Sequence, residues 1–140
     1  ITEITPYLYF NGNCREAMEF YKECLAGSLD LMVYEGTPVA DHMPAEARNN
    51  IMHSTLTLSE KARLMASDVF KPEDAATEIV TRGTNVSMSL LFDDDKKVPT
   101  AFDQLSAGGT VIEALLPQFW GGLFGHLEDR YGLRWMCIGP

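Results

Sequence analysis

The chain has 140 residues, 46% of them apolar and 22% charged, with a formal net charge of −9. That length supports one core of ordinary domain size, and no apolar run approaches the roughly 18 residues of a membrane span. The acidic balance argues against a nucleic-acid partner, which needs a basic face, and offers no attraction to a membrane surface. No basic-then-apolar leader suggests a secretory signal. Cys14, Cys24 and Cys137 form an odd set without metal-ligand spacing, so free thiols in a reducing, cytoplasmic setting are expected.

In chain order, residues 4–11 (ITPYLYFN) alternate as a strand, with Ile4, Pro6, Leu8 and Phe10 on one face and Thr5, Tyr7 and Tyr9 on the other. Gly12-Asn13 turns the chain. Asn13 with Glu16 three residues later predicts a capped helix start, and Ala17, Phe20, Tyr21, Cys24 and Leu25 predict its buried face. Gly27, free to take positive φ, is expected to end the helix. Residues 29–34 read as a second strand, 36–50 as a polar loop of the kind that covers a site, and 51–58 and 62–67 as two further strands. Residues 68–85 read as a polar linker with one helical turn near 75–80.

The pattern then repeats. The stretch 8–31 slides without a gap onto 90–113, with Leu8 on Leu90, Phe10 on Phe92, Phe20 on Phe102 and Gly27 on Gly109. A strand at 86–92 precedes a helix that starts within 95–99, because Pro99 fits only a first turn. This helix buries Val98, Ala101, Phe102 and Leu105 and stops at Gly108-Gly109, and strands follow near 110–116, 123–128 and 133–138.

The expected fold is therefore α+β: a single domain of two pseudo-repeats, module 1 about 1–68 and module 2 about 86–140, joined by a linker at 69–85. Each module is βαβββ, and together they form a curved mixed sheet whose helix-free face opens as a pocket. Modules this small should pack their sheets together, and the exposed edges of an open sheet favour a homodimer.

The tandem units, with TPYLYFNGNCREAMEFYK at 5–22, IMHSTLTL at 51–58, LMASD at 64–68 and FWGGLFGHLEDRYGLRW at 119–135, resemble the PhnB-like subgroup of the vicinal oxygen chelate superfamily. That superfamily includes glyoxalase I, extradiol dioxygenases and the fosfomycin- and bleomycin-resistance proteins. PhnB-like members often carry the label demethylubiquinone methyltransferase, yet no glycine-rich S-adenosylmethionine loop follows a strand in this sequence. In metal-using members, each module supplies one ligand from its first strand and one from its last. The resemblance carries these positions onto Thr5, Met65, Ser87 and Met136, or onto Pro6, Ala66, Met88 and Cys137 if the register slips by one. Hydroxyls and thioethers are poor ligands for Zn, Ni, Mn or Fe(II), so no metal site and no cofactor are expected.

If Thr5 and Ser87 line the pocket, alternation brings Tyr7, Tyr9 and Ser89 to the same face. The two tyrosines either bind a ligand through ring and hydroxyl or simply pack. His53, inside a strand, is the candidate acid–base residue, with a structural role as its alternative. His126 and His42 read as weaker candidates. Arg63 and Arg134, each two residues from a pocket methionine, suit an anionic ligand or serve as surface charges. Trp120, beside Gly121-Gly122, is a candidate for the pocket rim. Asp93-Asp94-Asp95 lacks the spacing of a Ca²⁺ loop and reads as a solvated turn, and Cys14 as an inert thiol. Two functions follow as expectations: a metal-free small-molecule-binding protein with an aromatic pocket, or an enzyme of lyase, isomerase or dioxygenase type acting on a small polar or anionic metabolite.

Overall fold

A computed structural model describes residues 1–69 and 80–140, so the helical turn expected near 75–80 falls almost wholly outside the described residues. These divide into two compact units, Ile1–Val80 and Thr81–Pro140. The first contains β1 (Tyr7–Phe10), α1 (Cys14–Leu25), β2 (Ser28–Val33), β3 (Ile51–Ser59) and β4 (Ala62–Asp68). The second contains β5 (Met88–Leu91), α2 (Val98–Ser106), β6 (Thr110–Pro117), β7 (Leu123–Glu128) and β8 (Arg134–Ile138). Each unit is βαβββ, and each sheet is mixed. The strand orders are β1-β4-β3-β2 and β5-β8-β7-β6, with the first and last strands of each unit parallel and the remaining pairs antiparallel.

The repeat seen in the sequence extends to strand register. Tyr7 lies opposite Met65 in one sheet and Ser89 opposite Met136 in the other. On the neighbouring antiparallel strands, Thr55 pairs with Met65 and His126 with Met136. His126 therefore corresponds to Thr55, and not to the other strand histidine, His53.

Each sheet buries one face against its helix. In the first unit Leu8, Phe10, Leu56, Leu64 and Ala66 meet α1, which presents Cys14, Ala17, Met18, Tyr21 and Cys24. The buried stripe of α1 thus takes in Cys14 and Met18, while Phe20 and Leu25 are only half-buried. In the second unit Val98, Ala101, Phe102 and Leu105 of α2 are buried, as their spacing predicts, and Leu127, Trp135 and Cys137 of the sheet are buried too. Gly125 belongs to this face: a Cβ there would strike the Phe102 ring. Each large apolar side chain removed from water contributes about 1.5–3 kcal/mol, and these two helix–sheet seams hold most of them.

Two expected caps differ from those observed. Asn13 makes no side-chain cap. Instead Asp68, at the end of β4, accepts from the backbone N–H groups of Gly12 (2.8 Å) and Cys14 (2.9 Å), and its second oxygen accepts from Ile51 N–H (2.8 Å). A charged acceptor from a distant strand outcompetes the local amide because it satisfies three donors together. At the other end of α1, Ala26 takes the left-handed conformation (φ 59°), not Gly27. Gly27 is needed for space, since a Cβ there would collide with Leu56, Leu58 and the Thr57 carbonyl.

The loop over 36–50 folds into two short 3-10 turns, Pro38–His42 and Ala45–Ala47, and buries Ala40 and Met43. In the second unit Lys97 Nζ donates to Asp93 (3.1 Å) and Asp94 accepts from Lys96 N–H (2.9 Å), so this acidic run is a helix-entry turn. Asp129, also buried, accepts from Tyr131 N–H, Leu133 N–H and Trp135 Nε1–H at 2.8–3.0 Å, fixing the β7–β8 turn.

Candidate functional site

The face of the first sheet away from α1 carries Tyr7, Tyr9, Met32, His53, Thr55, Thr57, Arg63 and Met65, as alternation and register require. Leu8 and Phe10 are buried while Tyr7 and Tyr9 are 37% and 55% exposed, so β1 is two-sided in the predicted sense. The structure brings three of the expected residues together. Tyr7 Oη lies 3.0 Å from His53 Nδ1, and the Tyr7 and Tyr9 rings stand 5.2 Å apart. Thr55 Oγ1 lies 3.3 Å from the other ring nitrogen, Nε2. A neutral imidazole donates from one nitrogen and accepts at the other, and both hydroxyls can take the complementary role. His53 thus stands between a phenol on one side and an alcohol on the other, its ring tilted by 31° from that of Tyr7.

Arg63 shares this face but is already engaged. Its guanidinium pairs with Glu3, to which Thr5 Oγ1 also donates at 2.6 Å. The Thr5 hydrogen bond and then Arg63 hold the Glu3 carboxyl below its ordinary pKa.

The face of the second sheet away from α2 carries Ser89, Met136, Arg134, His126 and Glu113. Ser87, one residue before β5, places its Oγ 2.8 Å from His126 Nε2, and Glu113 Oε1 lies 3.9 Å from His126 Nδ1. Ser89 is exposed, and Arg134 is half-buried with a buried Nε that has no hydrogen-bond partner among the described residues. Trp120 sits in the turn closed by Gln118 N–H to the Gly122 carbonyl (2.8 Å), 52% exposed, its ring filling the space a side chain at position 122 would need. Glu113 did not stand out in the sequence, since its only signal is the bulged β6–β7 register that puts it beside His126.

Among the described residues, no group of three or more His, Cys, Asp and Glu side chains could hold a metal ion. Of the four residues that the resemblance implied, Met65 and Met136 lie on β4 and β8 while Thr5 and Ser87 precede β1 and β5, and their hydroxyl and thioether donors do not fit a divalent ion of the Zn, Ni, Mn or Fe(II) kind. Cys14 is buried at the start of α1, where burial pushes its thiol up to about 12, and burial does the same to Cys137.

A pair of helix-backed βαβββ sheets with polar, aromatic helix-free faces defines a protein of the glyoxalase fold. The solved structure of a glyoxalase-related enzyme from Fulvimarina pelagi superposes with a TM-score of 0.65 at 15% identity, covering 100% of this chain and 89% of that one. The chain belongs to the PhnB-like family, described as 3-demethylubiquinone-9 3-methyltransferase, whose model matches residues 2–138. Protein PA1353 from Pseudomonas aeruginosa is 35% identical, with a TM-score of 0.82 over 99% of this chain and 98% of that one. The PhnB protein from Bacillus cereus is 22% identical, with a TM-score of 0.77 over 99% of this chain and all of that one.

Proposed function

We propose that this protein binds a small molecule, without a metal, on the helix-free face of its first sheet. The observation that carries this reading is the Tyr7–His53 contact at 3.0 Å, with the Tyr9 ring beside it. Two aromatic rings supply apolar contact area, while a phenol and an imidazole supply polar contacts that fix orientation. On the second unit, taken by itself, Ser89, Trp120 and Arg134 offer groups of the same kinds, Arg134 as the group for a planar anion. The donor sets at Thr5, Met65, Ser87 and Met136 favour binding over metal-assisted lyase, isomerase or dioxygenase chemistry.

A methyltransferase role finds no support in the strand orders, neither of which is the doubly wound parallel sheet that binds nucleoside cofactors. The protein acts as a homodimer in this reading: β6 is an edge strand that exposes Val111, Ile112 and Leu116, and such an edge is normally paired or covered. Cys14 and Cys137, buried and free, favour a reducing cytoplasm. Among the described residues, no helix is long and apolar enough to cross a membrane.

The test is a metabolite screen by thermal shift on the metal-analysed protein, followed by titration of the hits. A hit on this face loses about tenfold in affinity in Tyr7→Phe, which keeps the ring and removes one hydrogen bond to a charged or polar partner, and more in His53→Ala. Equal affinity in both variants would remove the site. One tightly bound Ni, Zn, Mn or Fe(II) ion per chain would instead assign the protein to metal-dependent chemistry.

A further inference from the structure

The second unit holds a chain of three side chains that the binding reading leaves unused. Ser87 Oγ stands 2.8 Å from His126 Nε2, and Glu113 Oε1 stands 3.9 Å from His126 Nδ1. Two strands and the residue that leads into a third bring these groups together. Glu113 on β6 is the direct cross-strand partner of His126 on β7, while Ser87 reaches in from the residue just before β5, on the far side of β8. The first unit has no counterpart: Thr5, in the position of Ser87, donates to Glu3, and Thr55, in the position of His126, carries no imidazole.

The order of the groups decides their chemistry. A carboxylate facing Nδ1 favours the tautomer with the proton on Nδ1, which leaves the Nε2 lone pair directed at the serine hydroxyl. That is the arrangement that turns a serine into a nucleophile. The His126 side chain is only 16% exposed, so its base is shielded, whereas Glu113 is 61% exposed and free to close the remaining gap by rotation. Arg134 lies on β8 one position before Trp135, the partner of Met88. Continuing that register by one residue sets its positive charge opposite Ser87, just before the adjoining strand, where it can stabilise an oxyanion.

We propose that Ser87 is a catalytic nucleophile, activated by His126 and oriented through Glu113, acting on carboxylic esters. Oγ attacks the carbonyl carbon as its proton passes to His126 Nε2. The ester C–O bond then breaks, and the imidazolium returns that proton to the leaving alkoxide, giving an alcohol and an acyl-serine. Water, deprotonated by His126, cleaves the acyl-serine, releases the carboxylic acid and restores the hydroxyl. No atom changes oxidation state, and water is the sole co-reactant.

The experiment treats the full chain with an alkyl fluorophosphonate, which phosphonylates an activated serine and expels fluoride, and follows intact mass and peptide mapping. One adduct per chain at Ser87 is expected, absent in Ser87→Ala. Its rate should fall by about 10²-fold or more in His126→Gln, the usual size of a general-base contribution. Glu113→Gln, at an exposed position that does not threaten folding, should slow labelling by about tenfold or more, and p-nitrophenyl acetate should be hydrolysed in step with the labelling. No adduct, an adduct at another residue, or unchanged labelling in Glu113→Gln would overturn the assignment. Neither result bears on ligand binding by Tyr7 and His53, which lie in the other unit.

Discussion

Asp68 and Asp129 are buried carboxylates that each accept three hydrogen bonds. Asp68 satisfies three backbone donors from two separate segments, and Asp129 satisfies two backbone donors and the Trp135 indole. Hydrogen bonds to a charged acceptor contribute more than neutral ones, and a donor stranded in the core keeps its desolvation cost. Asp129→Ala should therefore destabilise the protein by about 3 kcal/mol, read as a lower urea midpoint. The loss should also be visible in Trp135 fluorescence as the ring loses its anchor. Asp68→Asn should cost a similar amount, because an amide must turn an N–H group toward donors. A midpoint unchanged in either variant would mean that water replaces the carboxylate. Nothing adjacent in the sequence announces either role for Asp68, whose donors come from residues 12, 14 and 51.

At the scale of elements, the end of α1 shows how the chain accepts a local cost for close packing. Ala26 sits at φ 59°, its N–H bonded to the Lys22 carbonyl at 2.9 Å, one residue before the glycine that periodicity would select for this geometry. The cap cannot move forward, because Gly27 must lie flat against Leu56 and Leu58 without a Cβ between them. A left-handed alanine costs about 1–2 kcal/mol, and part of that is offset by its smaller unfolded-state entropy. Ala26→Gly should accordingly raise stability by about 0.5–1 kcal/mol in chemical denaturation, and a decrease would show that the Ala26 methyl packs favourably. The second unit ends its helix differently: Gly108 takes the positive φ (78°), and Gly109 keeps clear the close approach of the Glu128 and Asp129 backbone.

At the scale of the whole molecule, the buried groups among the described residues with a raised pKa include two thiols and a phenol. Burial pushes Cys14 and Cys137 up to about 12, and burial, then the nearby Asp68 charge, raises Tyr34. A raised folded pKa favours the folded state fully below the ordinary value, and the advantage is lost as pH climbs through the folded one. For the cysteines that window opens at 9.0 and closes near 12. The melting temperature should hold through neutral pH and fall steadily above about pH 9. Cys137→Ala should flatten the decline without abolishing it, and a flat profile to pH 11 would contradict it. The same burial predicts that native protein resists thiol reagents at pH 8, whereas urea-unfolded protein titrates all 3 cysteines.

Much of this protein can be read along the chain because strands and helices betray themselves by period. The alternation of Tyr7 and Tyr9 with Leu8 and Phe10 selects which face meets a helix, and the Val98, Ala101, Phe102, Leu105 stripe does the same for α2. The offset that carries Leu8 onto Leu90 marks two βαβββ units along the chain. Such signals are local, set by neighbours a few residues apart. What the tertiary structure alone decided is which distant groups share a hydrogen bond: Tyr7 with His53, Ser87 with His126, Asp68 with the start of α1. Those pairings depend on strand order, on bulges that shift register by a residue, and on which acceptor reaches a buried donor first. Those choices arise from packing between remote segments, and periodicity along the chain carries no record of them.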